Sequence, residues 1–302
     1  MSLNQTKPVA LVTGGNTGIG FETCRGLLKS GFHVVLCARS SEKGNRAIAE
    51  LLEDAPEQST GESLLLDLGS LKSVRTAAET FLSSERVLSV CVLNAGIMAL
   101  PWHRTEDGYE QQWQVNVLGH FLLCRLLLPA MGNAEGPTGR VLHLSSRAHL
   151  RHPQAIDYEG LKQEHLSDEN FDRWIAYGRS KLANILFSNE LARRLKESGS
   201  AVTSNALHPG LVATNLLTNA GGNLGRGVPV EDGAKTSLYL ATSPDVEGQS
   251  GGYYSDSKLV MPGSARSEIS SSDKAARALW THVCQDLGLS EELEGQRSNH
   301  TN

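Results

Sequence analysis

The sequence predicts a single α/β domain built on a doubly wound parallel sheet, and three observations carry that prediction. Six short segments, at residues 9–12, 34–37, 64–66, 90–93, 141–144 and 202–206, read as strands; the first four are wholly apolar and rich in Val and Leu. Continuous apolarity, in place of alternation, is what a strand covered on both faces needs. Stretches of helical character separate them, at residues 18–30, 42–53, 71–83, 111–131, 177–197 and 231–242. Strand–helix alternation forces right-handed crossovers and therefore parallel pairing. Finally, 302 residues that are 39% apolar and 20% charged can bury one full core, and no repeat or low-complexity linker divides them. In such sheets ligands sit beyond the carboxyl ends of the strands, so functional residues are expected where strands end.

The first strand runs straight into Thr13-Gly14-Gly15-Asn16-Thr17-Gly18-Ile19-Gly20 and then a helix. Glycines let the backbone turn tightly and approach a pyrophosphate, while the helix start offers free N–H groups and a positive dipole end. At the first strand–helix junction this pattern predicts dinucleotide binding by Gly14, Asn16, Thr17, Gly18, Ile19 and Gly20. The second strand ends in Cys37-Ala38-Arg39-Ser40, without a carboxylate to grip a ribose 2′-hydroxyl. A guanidinium there can pair with a 2′-phosphate, so Arg39 points to NADP(H) over NAD(H). Asp67 and Leu68 close the third strand, where an adenine would lie. The Asp67 carboxylate could accept from the adenine amino group, or cap the helix near Leu71. Asn94-Ala95-Gly96 closes the fourth strand with small residues that admit a ribose.

The later elements hold the acid–base groups. The helix at 111–131 contains Asn116, and the fifth strand ends in Ser145-Ser146. Tyr177-Gly178-Arg179-Ser180-Lys181 opens the next helix, placing Tyr177 and Lys181 one turn apart on one face. A neighbouring ammonium favours phenolate and so lowers a tyrosine pKa. Two stretches break the rhythm: 149–174 is polar and irregular, long enough to act as a substrate lid, and 211–229 includes the glycine-rich run Gly221, Gly222, Gly225, Gly227. Residues 291–302 read as a disordered tail after a domain of residues 1–290.

Taken together, Thr13-Gly14-x-x-x-Gly18-Ile19-Gly20, Asn94-Ala95-Gly96, Asn116, Ser146, Tyr177-x-x-x-Lys181 and Pro209-Gly210-x-x-x-Thr214 resemble the short-chain dehydrogenase/reductase family in order and spacing. The run from Ala176 to Phe187, Cys37-Ala38-Arg39 and Gly252-Tyr253-Tyr254-Ser255-Asp256 are similar to its retinol dehydrogenase and WW-domain oxidoreductase branch. The resemblance implies a Rossmann-like fold and assigns roles. Tyr177 would exchange a proton with the substrate oxygen, and Ser146, in preference to Ser145, would hydrogen-bond that oxygen. Lys181 would hold the nicotinamide ribose and depress the Tyr177 pKa. Asn116 would support a water linking Lys181 to solvent, and Pro209, Gly210 and Thr214 would line the nicotinamide. It also implies a homodimer formed by the helices at 111–131 and 177–197.

The expected function is NADPH-dependent interconversion of a lipophilic aldehyde or ketone and its alcohol. Met98, Leu100, Trp102, His152, Phe171, Trp174, Leu211, Leu216 and Leu217 are the candidate apolar lining. Two alternatives stay open: reduction of a carbon–carbon double bond, as in protochlorophyllide reductases, and an NADPH-binding sensor or scaffold without turnover. A net charge of −5 without a basic run argues against nucleic acid. His143, His149 and His152 lack metal-ligand spacing, so no metal is expected. Five scattered cysteines, no signal peptide and no apolar stretch long enough to span a bilayer predict a soluble cytoplasmic protein.

Overall fold

Strand order 3-2-1-4-5-6-7-8 defines the molecule: the chain winds outward from β1 to one edge, then returns to cover the other. The strands are β1 (Val9–Thr13), β2 (His33–Ala38), β3 (Thr60–Leu65), β4 (Leu88–Leu93), β5 (Arg140–Leu144), β6 (Thr203–His208), β7 (Tyr253–Ser255) and β8 (Lys258–Leu259). All pairings are parallel except β7 with β8. The helices are α1 (Gly18–Lys29), α2 (Ser41–Glu53), α3 (Leu71–Leu82), α4 (Gln111–Trp113), α5 (Gly119–Leu127), α6 (Tyr158–Glu164), α7 (Arg173–Glu197), α8 (Val230–Thr242) and α9 (Asp273–Leu287). This computed structural model describes residues 7–132, 138–152, 154–164, 167–214, 216, 221, 227–263 and 265–293.

Alternate residues of each central strand feed opposite layers, which is why those strands are apolar throughout. Val9, Leu11, Val35 and Cys37 pack with Val74, Phe121, Leu186 and Trp280 on one face. Ala10, Val12, Val34 and Leu36 pack with Leu27, Ala47, Leu51 and Leu240 on the other. β1, β4 and β6 are buried along their whole lengths. β3 departs from the expectation of a strand covered on both faces: it is the sheet edge, and Thr60, Glu62 and Leu65 are exposed.

Three further elements differ from the sequence reading. The stretch 111–131 is not one regular helix but α4, a π-helical turn at Gln114–Leu118, α5 and a 3-10 turn at Leu128–Ala130. Tyr177 does not open α7, which starts at Arg173 with Asp172 capping it through Trp174 N (2.8 Å) and Ile175 N (3.0 Å). The irregular stretch holds α6, and α9 was missed altogether, although Ser272 caps its start and Gly288 ends it at φ 62°. α9 is held between α5 and α7 by Trp280, whose ring lies 4.9 Å from Phe121 and 6.0 Å from Phe187.

Arg125 and Arg194 stack on Trp280 at 4.9 and 4.6 Å and donate to the carbonyls of Glu292 and Glu291. Glu291 to Leu293 are thus docked, not part of a loose tail; Leu293 packs against the core. Residues 294–302, together with Leu217, Gly222 and Gly225, lie outside the described residues. No helix among the described residues is long and apolar enough to cross a membrane.

Candidate active site

The strand order reverses between β1 and β4, and a crevice at such a point is where an α/β sheet accepts ligands. β1 exits into Gly14 (φ 64°), and Gly18 (φ 58°) opens α1. A Cβ on Gly20 would sit 2.4 Å from the Gly14 carbonyl oxygen and 2.5 Å from Asn94 Nδ2, so only hydrogen permits this close passage. The Thr17 side chain makes no capping bond and the first turn of α1 has no acid. Neither feature would oppose an anion at this helix start. Thr214 reaches the same place: a Cβ on Gly18 would lie 3.5 Å from its Cγ2. Gly210 turns the chain after β6 at φ 90°.

Arg39 is exposed immediately beyond β2 and makes no ion pair or side-chain hydrogen bond among the described residues, so its guanidinium is free to meet a phosphate. Asp67 is not the cap of α3; Ser70 is, accepting from Ser73 N. The Asp67 carboxylate accepts from Gly69 N at 2.8 Å, which leaves its adenine-binding reading standing. Leu68 is buried in the core beneath it. Asn94 Nδ2 donates to the Thr13 carbonyl at 2.7 Å, tying the β4 exit to β1, with Ala95 beside it.

Ser146, Tyr177, Lys181 and Asn116 converge beside that crevice. Tyr177 and Lys181 are each 4% exposed, and the Lys181 ammonium lies 5.7 Å from the tyrosine ring centre. Ser146 hydrogen-bonds the Tyr177 hydroxyl. Ser145, its neighbour, donates instead to the Lys181 carbonyl at 2.7 Å. Lys181 Nζ donates to the Leu144 carbonyl at 3.1 Å, which also accepts from Asn184. Asn116 clamps Ile97, accepting from its N–H at 2.9 Å and donating to its carbonyl at 3.0 Å, and also donates to Ser180 Oγ. Gly96 lies between: a Cβ there would come 3.2 Å from Asn116 Oδ1 and 3.4 Å from Lys181 Nζ.

The electrostatics differ from the sequence expectation. Burial pushes the Tyr177 phenol up to about 12, opposed only by the Ser146 hydrogen bond, and pulls the Lys181 ammonium down to about 8. The expected depression of the tyrosine by its lysine is absent here, because desolvation disfavours both charged forms and outweighs an ammonium already engaged by Leu144.

Trp102, Phe171 and Trp174 line a cavity of about 530 Å³ with Pro101, Asp168, Asp172 and Arg173, at the mouth of α7. Its rim is mixed, not uniformly apolar, and none of the four convergent residues lines it. Leu211 is exposed, and His152 turns to the Gln154 carbonyl. His143 contacts Ser204 and His149 contacts Ser146 O, so each has its own partner; no group of three metal-type ligands occurs among the described residues.

A family model described as short chain dehydrogenase matches residues 8–160. The chain belongs to the short-chain dehydrogenase/reductase family. It is 40% identical to retinol dehydrogenase 12 of Mus musculus over 293 residues, covering 94% of this chain and 87% of that one. It is 37% identical to the chloroplastic short-chain dehydrogenase TIC 32 B of Brassica napus over 288 residues, covering 90% and 88%. A crystal structure of a putative uncharacterized protein from Mycobacterium Paratuberculosis superposes with a TM-score of 0.75 at 33% identity, covering 95% of both chains. Spacing could not single out three further residues packed against the candidate site. Thr13, His120 and Ser180 are buried polar groups bonded to the site residues, and only their partners identify them.

Proposed function

We propose that this short-chain dehydrogenase is an NADPH-dependent carbonyl reductase, reversible as an alcohol dehydrogenase, for lipophilic aldehydes or ketones. The observation that carries the reading is a phenol, a hydroxyl and an ammonium converging beside a backbone cradle suited to a dinucleotide. Gly14, Asn16, Thr17, Gly18, Ile19 and Gly20 would hold the pyrophosphate, Arg39 the 2′-phosphate, and Asp67 and Leu68 the adenine. Asn94, Ala95 and Gly96 would flank the ribose, and Pro209, Gly210 and Thr214 the carboxamide. When bound, the nicotinamide supplies the hydride. Ser146 holds the substrate oxygen, and Tyr177, protonated throughout the neutral range, hands that oxygen its hydroxyl proton. Lys181 would hold the ribose and pass a proton back to the Tyr177 phenolate, regaining its own from solvent through a water that Asn116 supports. Positioning and proton delivery are the protein's part.

Trp102, Phe171 and Trp174 supply the apolar part of the mixed cavity at the mouth of α7, where a lipophilic substrate group would rest. Five buried, unpaired thiols favour a reducing, cytoplasmic setting. A homodimer through α5 and α7 would have to form around α9, and light scattering of the purified protein reads that mass directly. The deciding experiment is NADPH oxidation with a panel of lipophilic aldehydes and ketones, with Tyr177→Phe alongside. Turnover should fall at least about a hundredfold in the variant, while NADPH still binds. Retained turnover in Tyr177→Phe would reject this role.

A further inference from the structure

His120 lies in the first turn of α5 and belongs to none of the motifs, yet it joins two of them. Its ring is 2% exposed. Nδ1 lies 3.2 Å from the Asn116 carbonyl oxygen, one turn back in the π-helical segment, and Nε2 lies 2.9 Å from Thr13 Oγ1 at the end of β1. We propose that His120 is a positioning residue for the reaction, locking the β1 exit and the Asn116 turn into one arrangement through a single ring tautomer. The proposal rests on the reading that Asn116, Tyr177 and Lys181 serve hydride transfer.

The hydrogen-bond inventory favours one tautomer. A carbonyl oxygen can only accept, so Nδ1 carries the proton and donates to Asn116. Burial, reinforced by the Lys181 charge, holds the ring pKa down at about 3, so the imidazole is neutral and Nε2 has a lone pair. Thr13 Oγ1 then donates to Nε2 at 2.9 Å, with the Val92 carbonyl a more distant second acceptor at 3.4 Å, and its lone pairs accept from Asn94 N and Ala95 N, both at 2.9 Å. Every donor and acceptor of the threonine hydroxyl is thereby used. The circuit closes through Asn116, whose amide grips Ile97 on both backbone atoms. The segment from Asn94 to Ile97 is therefore held at one end by Thr13 and at the other by Asn116, and His120 fixes the distance between the two grips. Gly96, within 3.4 Å of Lys181 Nζ at its missing Cβ, sits in the middle of that segment. A purely apolar side chain would fill the space and leave both Thr13 and the Asn116 carbonyl without this tie.

The two arms can be cut separately. In His120→Asn the amide nitrogen falls near the Nδ1 position, keeping the donor to Asn116 and losing the acceptor for Thr13. In His120→Gln the amide reaches the Nε2 position, keeping Thr13 and losing Asn116. The first should raise the NADPH Kd more than it lowers kcat; the second should lower kcat by about tenfold or more with a smaller change in Kd. Nitrogen NMR of the histidine-labelled, ligand-free protein should show ring 120 as the Nδ1–H tautomer and untitrated down to pH 5. Opposite splits and that tautomer support the proposal. Matching kinetics and Kd in both variants, changes confined to thermal stability, an Nε2–H tautomer, or titration near the ordinary histidine pKa would overturn it. If wild-type protein binds NADPH but reduces no carbonyl, the reading of function falls by itself, and the Kd contrast and the tautomer still decide the role of His120.

Discussion

Two helices bracket the candidate site, and they contribute in opposite ways. α1 offers its backbone: the Thr17 side chain makes no capping bond, and the approach is through glycines. α7 offers side chains: Asp172 satisfies the start of the helix, and Tyr177 and Lys181 stand inside its first turns, buried by the elements packed around them. A site for phosphates needs N–H groups and room, so its residues are small and local in sequence. A site for proton transfer needs desolvated titratable groups, so its properties come from whatever covers them.

Changes on each side can break or sharpen that contrast. The largest is loss of Tyr177 itself, with the kinetic collapse and retained NADPH binding described above. Next, Gly20→Ala forces a Cβ against the Gly14 carbonyl, and overpacking of this kind costs about 1–3 kcal/mol. We expect a lower melting temperature and NADPH affinity weakened by about tenfold or more; unchanged affinity would show that the cradle does not hold the cofactor. Arg39→Asp should leave the fold intact, since the side chain has no partner among the described residues, and reduce the preference for NADPH over NADH in kcat/KM by at least about tenfold. An unaltered preference would remove Arg39 from the site.

On the α7 side, pH is the probe. With Tyr177 pushed up to about 12 and Lys181 down to about 8, carbonyl reduction should be flat to about pH 8, because the phenol is already protonated. Alcohol oxidation, which needs the phenolate, should climb through the alkaline range; identical profiles in the two directions would contradict this. Stability carries a separate signature. Burial lowers His120 and His143 to about 3 and His208 to about 4, below the ordinary histidine value. Between those values and about 6.5 the unfolded chain binds protons the folded one refuses, so stability is complete above that window and declines as pH falls through it. Urea midpoints at pH 7 and pH 5 measure it, and equal midpoints would be inconsistent with buried neutral rings. The smallest expected effect is Asp172→Ala, about 1 kcal/mol of stability for a lost cap, with kcat nearly unchanged.

All six expected strands are present, and those of the sheet centre were legible because apolar continuity is a local signal; edge strand β3 overlaps its expected position only at Leu64 and Leu65. α9 carries a local signal too, in the Ser272 cap, apolar residues at helical spacing and Gly288. By contrast, the π-helical turn at Gln114–Leu118 has no glycine or proline to announce it.

Sequence alone determined the doubly wound fold and the glycine-rich strand–helix turn, because each depends on residue type at short, fixed spacing; Asn116, Ser146, Tyr177 and Lys181 lie far apart in the chain and were brought together by the family resemblance. Only the tertiary structure decided that Ser145 turns to the Lys181 carbonyl, that Ser70 and not Asp67 caps α3, and that His120 ties Thr13 to Asn116. It also set the sense of the Tyr177 and Lys181 shifts. Hydrogen-bond partnership and desolvation depend on which distant segments pack together, over a hundred residues apart for Thr13 and His120, and no local pattern encodes that.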